Sequence, residues 1–169
     1  MKSTFESQQF QPGFAQRLAY EKALNDWLRD YEFKYFYTLT FRSDVSVHKA
    51  RATLNHFAQR LSRRAFGDSW KSPDFPMNRV SLVAGLERQA SSRLHWHVAM
   101  QPLDHSRRLS SIVLVELAVR ECWAASGGSP QQLDFQVINK NEDDKVVSYS
   151  MKQVKYDTDT FYEEWFSRQ

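Results

Sequence analysis

The chain is poor in cysteine, in glycine and proline, and in long apolar runs. A single cysteine, Cys122, leaves no partner for an intrachain disulfide and no thiolate set for a structural zinc. A reducing, cytoplasmic location is expected on that ground. Five glycines and five prolines in 169 residues are too few for collagen-like or low-complexity sequence. The longest apolar run, Ile112 to Val119, is interrupted by Glu116 and is far too short to cross a bilayer, so no membrane association is expected. Met1 to Ser7 lacks the apolar stretch of a secretory leader.

What is present suits one soluble globular domain over 1–169, with 41% hydrophobic and 25% charged residues. The formal charge is only +3, but it is unevenly spread. Arg42, Lys49, Arg51, Arg60, Arg63 and Arg64 face one acid, Asp44, between positions 42 and 64. Residues 157–169 reverse the balance and read as an acidic C-terminal tail. A basic stretch beside an acidic one fits an anionic partner on one side of the molecule.

Hydrophobic periodicity divides the chain into α-β-α-β-β-α-β-α. An N-terminal helix is expected over 14–31, followed by an aromatic and β-branched strand at Tyr35–Phe41. A helix over Val45–Phe66 ends at Gly67, and a Pro-containing loop at 68–78 carries Trp70 and Phe75. Strands Val80–Arg88 and Leu94–Met100 read as a hairpin around residues 89–93, and Ser106–Ala125 as a further helix. A fourth strand is expected at Leu133–Ile138, then a last helix capped by Asn141. The order predicts an α+β fold: a largely antiparallel central sheet of four to five strands with helices packed on it.

The segment Glu87 to Met100, ERQASSRLHWHVAM, carries the strongest chemical signal. On a strand, alternate side chains share a face, so His95 and His97 point one way while Leu94, Trp96, Val98 and Met100 point the other. Glu87, across the hairpin, can add a carboxylate. Two imidazoles and a carboxylate with open positions make a site for Mn²⁺ or Mg²⁺, or less specifically Zn²⁺ or Fe²⁺. In the last helix Tyr149 shares a face with Lys152 and Gln153. A tyrosine hydroxyl, with a pKa near 10, is a poor nucleophile at neutral pH. A divalent metal on a phosphate and a nearby cation would remedy that.

In this order the motifs resemble those of the His-hydrophobic-His (HUH) endonuclease superfamily, in its single-tyrosine rolling-circle replication initiators. Phe36-Tyr37-Thr38-Leu39-Thr40-Phe41 is similar to the family's first motif. Leu94-His95-Trp96-His97-Val98 is similar to the second, with Glu87 at the spacing of the third metal ligand. Val147-Ser148-Tyr149-Ser150-Met151-Lys152 is similar to the third. The resemblance implies an RRM-like sheet within a catalytic core over 34–156. It also implies site-specific nicking of single-stranded DNA at a replication origin hairpin, with Tyr149 as nucleophile, Lys152 assisting and a 5′-phosphotyrosine intermediate. No Gly-x-x-x-x-Gly-Lys-Ser/Thr motif follows, so a fused helicase domain is not expected and unwinding would fall to a host helicase. Gln153 completes the Tyr-x-x-x-Gln of single-tyrosine insertion-sequence transposases, which makes it a candidate fourth metal ligand and keeps a transposase as the alternative. A non-catalytic single-stranded DNA-binding module is another, and a small-molecule metalloenzyme a third.

DNA binding needs cations and stacking surfaces. The candidates are Arg42, Lys49, Arg51, Arg88 and Arg93 for phosphates, with Trp70 and Phe75 for bases. Arg60, Arg63 and Arg64 lie farther along their helix and read as solvated charges. The motifs leave monomer and dimer equally open.

Overall fold

The computed structural model describes residues 19, 22–23, 26–27, 30–74, 78–88, 93–103, 105–138 and 161–164. In them an α+β architecture is built on one antiparallel sheet. Its strands are β1 (Tyr35–Phe41), β2 (Leu82–Arg88), β3 (Leu94–Met100), β4 (Gly128–Val137) and β5 (Phe161–Glu164). They lie in the order β4-β1-β3-β2-β5 and every neighbouring pair is antiparallel. The two long helices are α1 (Val47–Phe66) and α2 (Ile112–Ser126), with a 3-10 turn at Gly67–Lys71.

Alternation along the strands sorts the sheet into two faces. Tyr35, Tyr37, Leu39 and Phe41 from β1 join Leu82, Ala84 and Leu86 from β2 and Leu94, Trp96, Val98 and Met100 from β3 in the main core. The buried stripe of α1, including Leu54, Phe57, Ala58 and Leu61, packs on that face with Val115, Val119 and Trp123 of α2. Trp96 ties the layers together: its ring is fully buried and its indole N–H donates to the Ala50 carbonyl of α1 at 3.3 Å. The other face carries His95 and His97.

Helix ends follow local chemistry. The Ser46 hydroxyl accepts the Lys49 N–H at the start of α1, so the helix begins two residues later than the apolar pattern alone suggests. Gly67 closes it at φ 66°, a conformation that favours glycine. The expected helix from Ser106 starts instead at Ile112. Ser106 donates to the Ala65 carbonyl at 2.8 Å and accepts the Leu109 N–H at 3.1 Å, holding a non-helical turn, and Ser111 then caps α2.

Strand β4 begins at Gly128, five residues before the sequence pattern places it. The Trp123 ring packs against Gly128 so closely that a Cβ there would overlap it. Pro130 is tolerated because β4 is an edge strand. The 157–169 segment, read as an acidic tail, contains β5, which pairs along β2 from Leu82–Glu164 to Gly85–Phe161. Pairing there covers an edge that β2 would otherwise expose. The acids of that segment had hidden the strand from a charge-based reading. Of the N-terminal helix expected over 14–31, the described residues Ala19, Lys22, Ala23, Asp26 and Trp27 are helical. The helix expected after Asn141 lies outside the described residues.

Candidate metal centre

The β2–β3 register places Glu87 opposite His95 and Gly85 opposite His97, while β1 sets Thr38 opposite His97 and Thr40 opposite His95. Same-face positions on three strands therefore converge, as the two-residue period requires. Glu87, His95 and His97 each turn one ligand atom to a common point, within 4.8 Å of one another. His97 Nε2 lies 2.9 Å from Glu87 Oε2 and 3.0 Å from His95 Nε2, and His95 Nε2 lies 3.6 Å from the same carboxylate oxygen. An octahedral ion bound at about 2.1 Å sets neighbouring ligands about 3 Å apart. A tetrahedral ion at similar bond lengths sets them about 3.4 Å apart. The three residues, the donor group found among the described residues, therefore fit a divalent metal ion.

Burial and hydrogen bonding prepare the rings. His95 and His97 are 4% and 5% exposed. Burial pulls the His95 imidazole below its ordinary pKa range, against the opposing pull of the Glu87 carboxylate. The neutral ring this favours is the one that ligates metal. His95 Nδ1 is buried near the Arg93 backbone without meeting hydrogen-bond geometry. His97 Nδ1 lies 3.2 Å from the Thr38 hydroxyl, and its ring stacks on Phe36 at 5.9 Å. Thr38 thus fixes the ring that contributes the central nitrogen, an orienting role common around metal-bound histidines. Thr38 belongs to the first motif but had not been singled out. Its position opposite His97 depends on strand register.

Beside His95 the sheet opens into a groove of about 570 Å³ lined by Thr38, Thr40, Arg93, His95, Gln132 and Asp134, among others. The groove follows from a bulge in β4. Thr38 pairs with Asp134 and Thr40 with Ser129, so residues 130–133 loop out opposite Leu39. Arg120 of α2 pins that loop by donating to the Pro130 and Leu133 carbonyls at 3.0 and 3.2 Å, and is itself held by Glu116 at 2.8 Å.

Only some of the sequence candidates meet here. Arg93 is exposed in the wall of the groove, and Arg88 is exposed at the end of β2, next to Glu87. Arg42 donates to the Gly128 carbonyl at 3.1 Å, joining the end of β1 to β4. Lys49 and Arg51 sit on α1, across the sheet from the histidines, so they do not share this site. Trp70 is in the 3-10 turn beyond α1, 9% exposed, and offers little ring surface to a base. Phe75, Tyr149, Lys152 and Gln153 lie outside the described residues.

Compared with protein-family models, curated proteins and solved structures, the chain has no match. The case for a function therefore rests on the site's own chemistry and on the motif order. Among the described residues no helix is long and apolar enough to cross a membrane.

Proposed function

We propose that the protein is a metal-dependent, single-stranded DNA endonuclease and strand transferase of the HUH type, which nicks a replication origin through a 5′-phosphotyrosine intermediate. The observation that carries this reading is the convergence of Glu87, His95 and His97 beside an open groove on the sheet face away from α1 and α2. The donor set fits Mn²⁺ or Mg²⁺, with the two imidazoles favouring Mn²⁺ over the oxygen-preferring Mg²⁺. When bound, the ion would polarise a phosphoryl oxygen and neutralise charge developing on it.

The protein's own residues then have separate tasks. Glu87, His95 and His97 hold the ion on a rigid sheet. Arg93, exposed in the groove wall, neutralises a phosphate of the bound strand. The Tyr149 oxygen attacks the scissile phosphorus and gives up its proton, with Lys152 stabilising the phenolate. The bond from phosphorus to the 3′-oxygen breaks, and that oxygen takes up a proton as the free 3′-hydroxyl. Because one phosphodiester replaces another, a later 3′-hydroxyl can reverse the step and rejoin strands.

In this reading Tyr149 and Lys152 act at the ion held by Glu87, His95 and His97, and Gln153 would be its additional ligand.

A nicking assay tests the proposal. The protein is mixed with a diverse single-stranded DNA pool and Mn²⁺ and resolved on a denaturing gel. The expected result is a slow-migrating covalent adduct that disappears with EDTA and in Tyr149→Phe. An adduct that survives Tyr149→Phe removes this tyrosine from the mechanism. If single-stranded DNA binds but no adduct forms with Mn²⁺ or Mg²⁺, even from hairpin substrates, the protein is a binding module.

A further inference from the structure

The groove beside His95 has charges of both signs in its walls: Arg93 on one element and Asp134 on another, with Gln132 next to the acid. Strand register fixes the side they face. Asp134 pairs with Thr38, which pairs in turn with His97, so Asp134 belongs to the histidine face of the sheet. Asp134 and Gln132 are both exposed. Gln136 Nε2 donates to Asp134 Oδ2 at 2.7 Å, and this neutral amide orients the carboxylate without cancelling its charge. Gln132 sits in the β4 bulge, whose backbone is held from two sides. Arg120 donates to the Pro130 and Leu133 carbonyls, and the Thr40 hydroxyl donates to the Gln132 carbonyl at 3.4 Å. The wall that carries Gln132 and Asp134 is therefore shaped before any ligand arrives.

We propose that Asp134 and Gln132 select a guanine base in the bound strand, an assignment that rests on the single-stranded DNA reading of this face. An acid in the wall of a groove that takes an anionic strand repels its phosphates. Such an acid gains only where donors on a base meet it. An ionised carboxylate accepts and cannot donate, and it presents two oxygens side by side. Unpaired bases are read on their Watson–Crick edges. On that edge guanine alone sets two N–H donors next to each other, N1–H and the N2 amino group. Adenine and cytosine pair one amino donor with a ring-nitrogen acceptor, and thymine flanks its single N–H with two carbonyls. Each of those three sets a lone pair against one carboxylate oxygen. Beside its two donors guanine carries the O6 acceptor, and the Gln132 amide supplies an N–H on the same wall. Arg93 then serves the phosphate and Asp134 the base, so the opposite charges of the groove have separate partners. The groove volume of about 570 Å³ falls within the range of about 300 to 1,000 Å³ that accommodates small ligands, which is room for one base.

The test measures binding of short oligothymidine strands, unmodified or carrying one central guanine, adenine or cytosine, to the full chain in Mn²⁺. The Tyr149→Phe substitution is present throughout, so that no strand is cut. Fluorescence anisotropy supplies the affinities. The guanine strand is expected to bind about tenfold more tightly than the other three, the discrimination of one good bidentate contact. In Asp134→Asn the amide offers one donor and one acceptor, so the guanine preference should vanish and the adenine or cytosine strand should gain. Gln132→Ala should narrow the preference while keeping guanine first. Circular dichroism and Mn²⁺ affinity should be unchanged in both variants. Equal tightening of all four strands in Asp134→Asn, with their ranking kept, would reduce Asp134 to a repulsive charge and overturn the proposal. Loss of Mn²⁺ affinity in that variant would overturn it too, by making Asp134 a metal ligand. The ranking before either substitution needs no further variant, so the proposal can fail on it alone. Equal binding of all four strands overturns the guanine assignment and leaves single-strand binding standing, whereas no binding of any strand overturns both.

Discussion

The Thr38 hydroxyl stands 3.2 Å from His97 Nδ1, while Nε2 of the same ring faces Glu87 Oε2 at 2.9 Å. A neutral imidazole has one N–H, so the two contacts are linked through the tautomer. With Nε2 protonated, His97 donates to Glu87 and Thr38 donates to Nδ1. With metal on Nε2, the proton sits on Nδ1 and Thr38 accepts it. A hydroxyl serves both states; a methyl serves neither. Thr38→Val is therefore expected to weaken Mn²⁺ binding about 10- to 100-fold, with Thr38→Ser close to wild type. Calorimetric titration checks both, and equal affinities for Val and wild type would remove Thr38 from the orienting role.

Metal binding should also register as stability. An ion that binds only the folded state at 100 times its Kd adds about 2.7 kcal/mol. The wild-type melting temperature should rise with Mn²⁺ and return with EDTA. In His95→Ala/His97→Ala, removal of two of the three donors should abolish the rise. A shift of equal size in the double variant would mean that the ion binds elsewhere.

Without metal, His95 should make stability depend on pH. Its folded pKa is lowered, chiefly by burial. The unfolded chain takes up the proton near pH 6.5, and the folded protein does so only at lower pH. In that window the unfolded state binds more protons, so stability falls as pH falls below about 6.5 and is fully retained above it. Urea unfolding in EDTA at pH 7.5 and 5.5 should show this loss, and His95→Gln should reduce it. The same pH dependence in both proteins would assign the effect to other groups.

Cys122 should be chemically silent in the folded state. It is 8% exposed on α2, and burial is the main cause that pushes its thiol pKa up to about 11. At pH 8 the thiolate fraction is then about a thousandth, and access is blocked as well. Ellman's reagent should react with it only after denaturant is added. Rapid reaction in the native protein would show that α2 opens readily from the core.

Much of the architecture was legible because it depends on local periodicity. The period of two in Tyr35–Phe41 and Leu94–Met100 determined both strands to the residue, and the alternation in Leu94–Met100 also put His95 and His97 on the face opposite Trp96. Glu87 was a candidate because the hairpin joining β2 and β3 is short enough to make their pairing a local matter. Less legible were features governed by contacts distant in the chain. The early start of β4 rests on Trp123 packing over Gly128, and its bulge on Arg120 reaching two carbonyls. Strand β5 is defined by pairing with a β2 segment far upstream, and its acidic neighbourhood gave no sign of that partner.

The cations show the same division. The sequence reading grouped the cations Lys49 and Arg51 and the stacking candidate Trp70 with Arg93 as one DNA-binding set, because a one-dimensional sequence carries no record of which layer a residue joins. The fold puts α1 and the 3-10 turn on one side of the sheet and Arg93 on the other. By itself the sequence determined which residue types were available for metal chemistry and which strand faces they occupied, since side-chain alternation is a property of the extended backbone. Tertiary structure alone decided that three donors meet within 4.8 Å and that Thr38 turns to His97. Those relations depend on strand register and layer packing, which are set by burial across the whole chain rather than by any local run of residues.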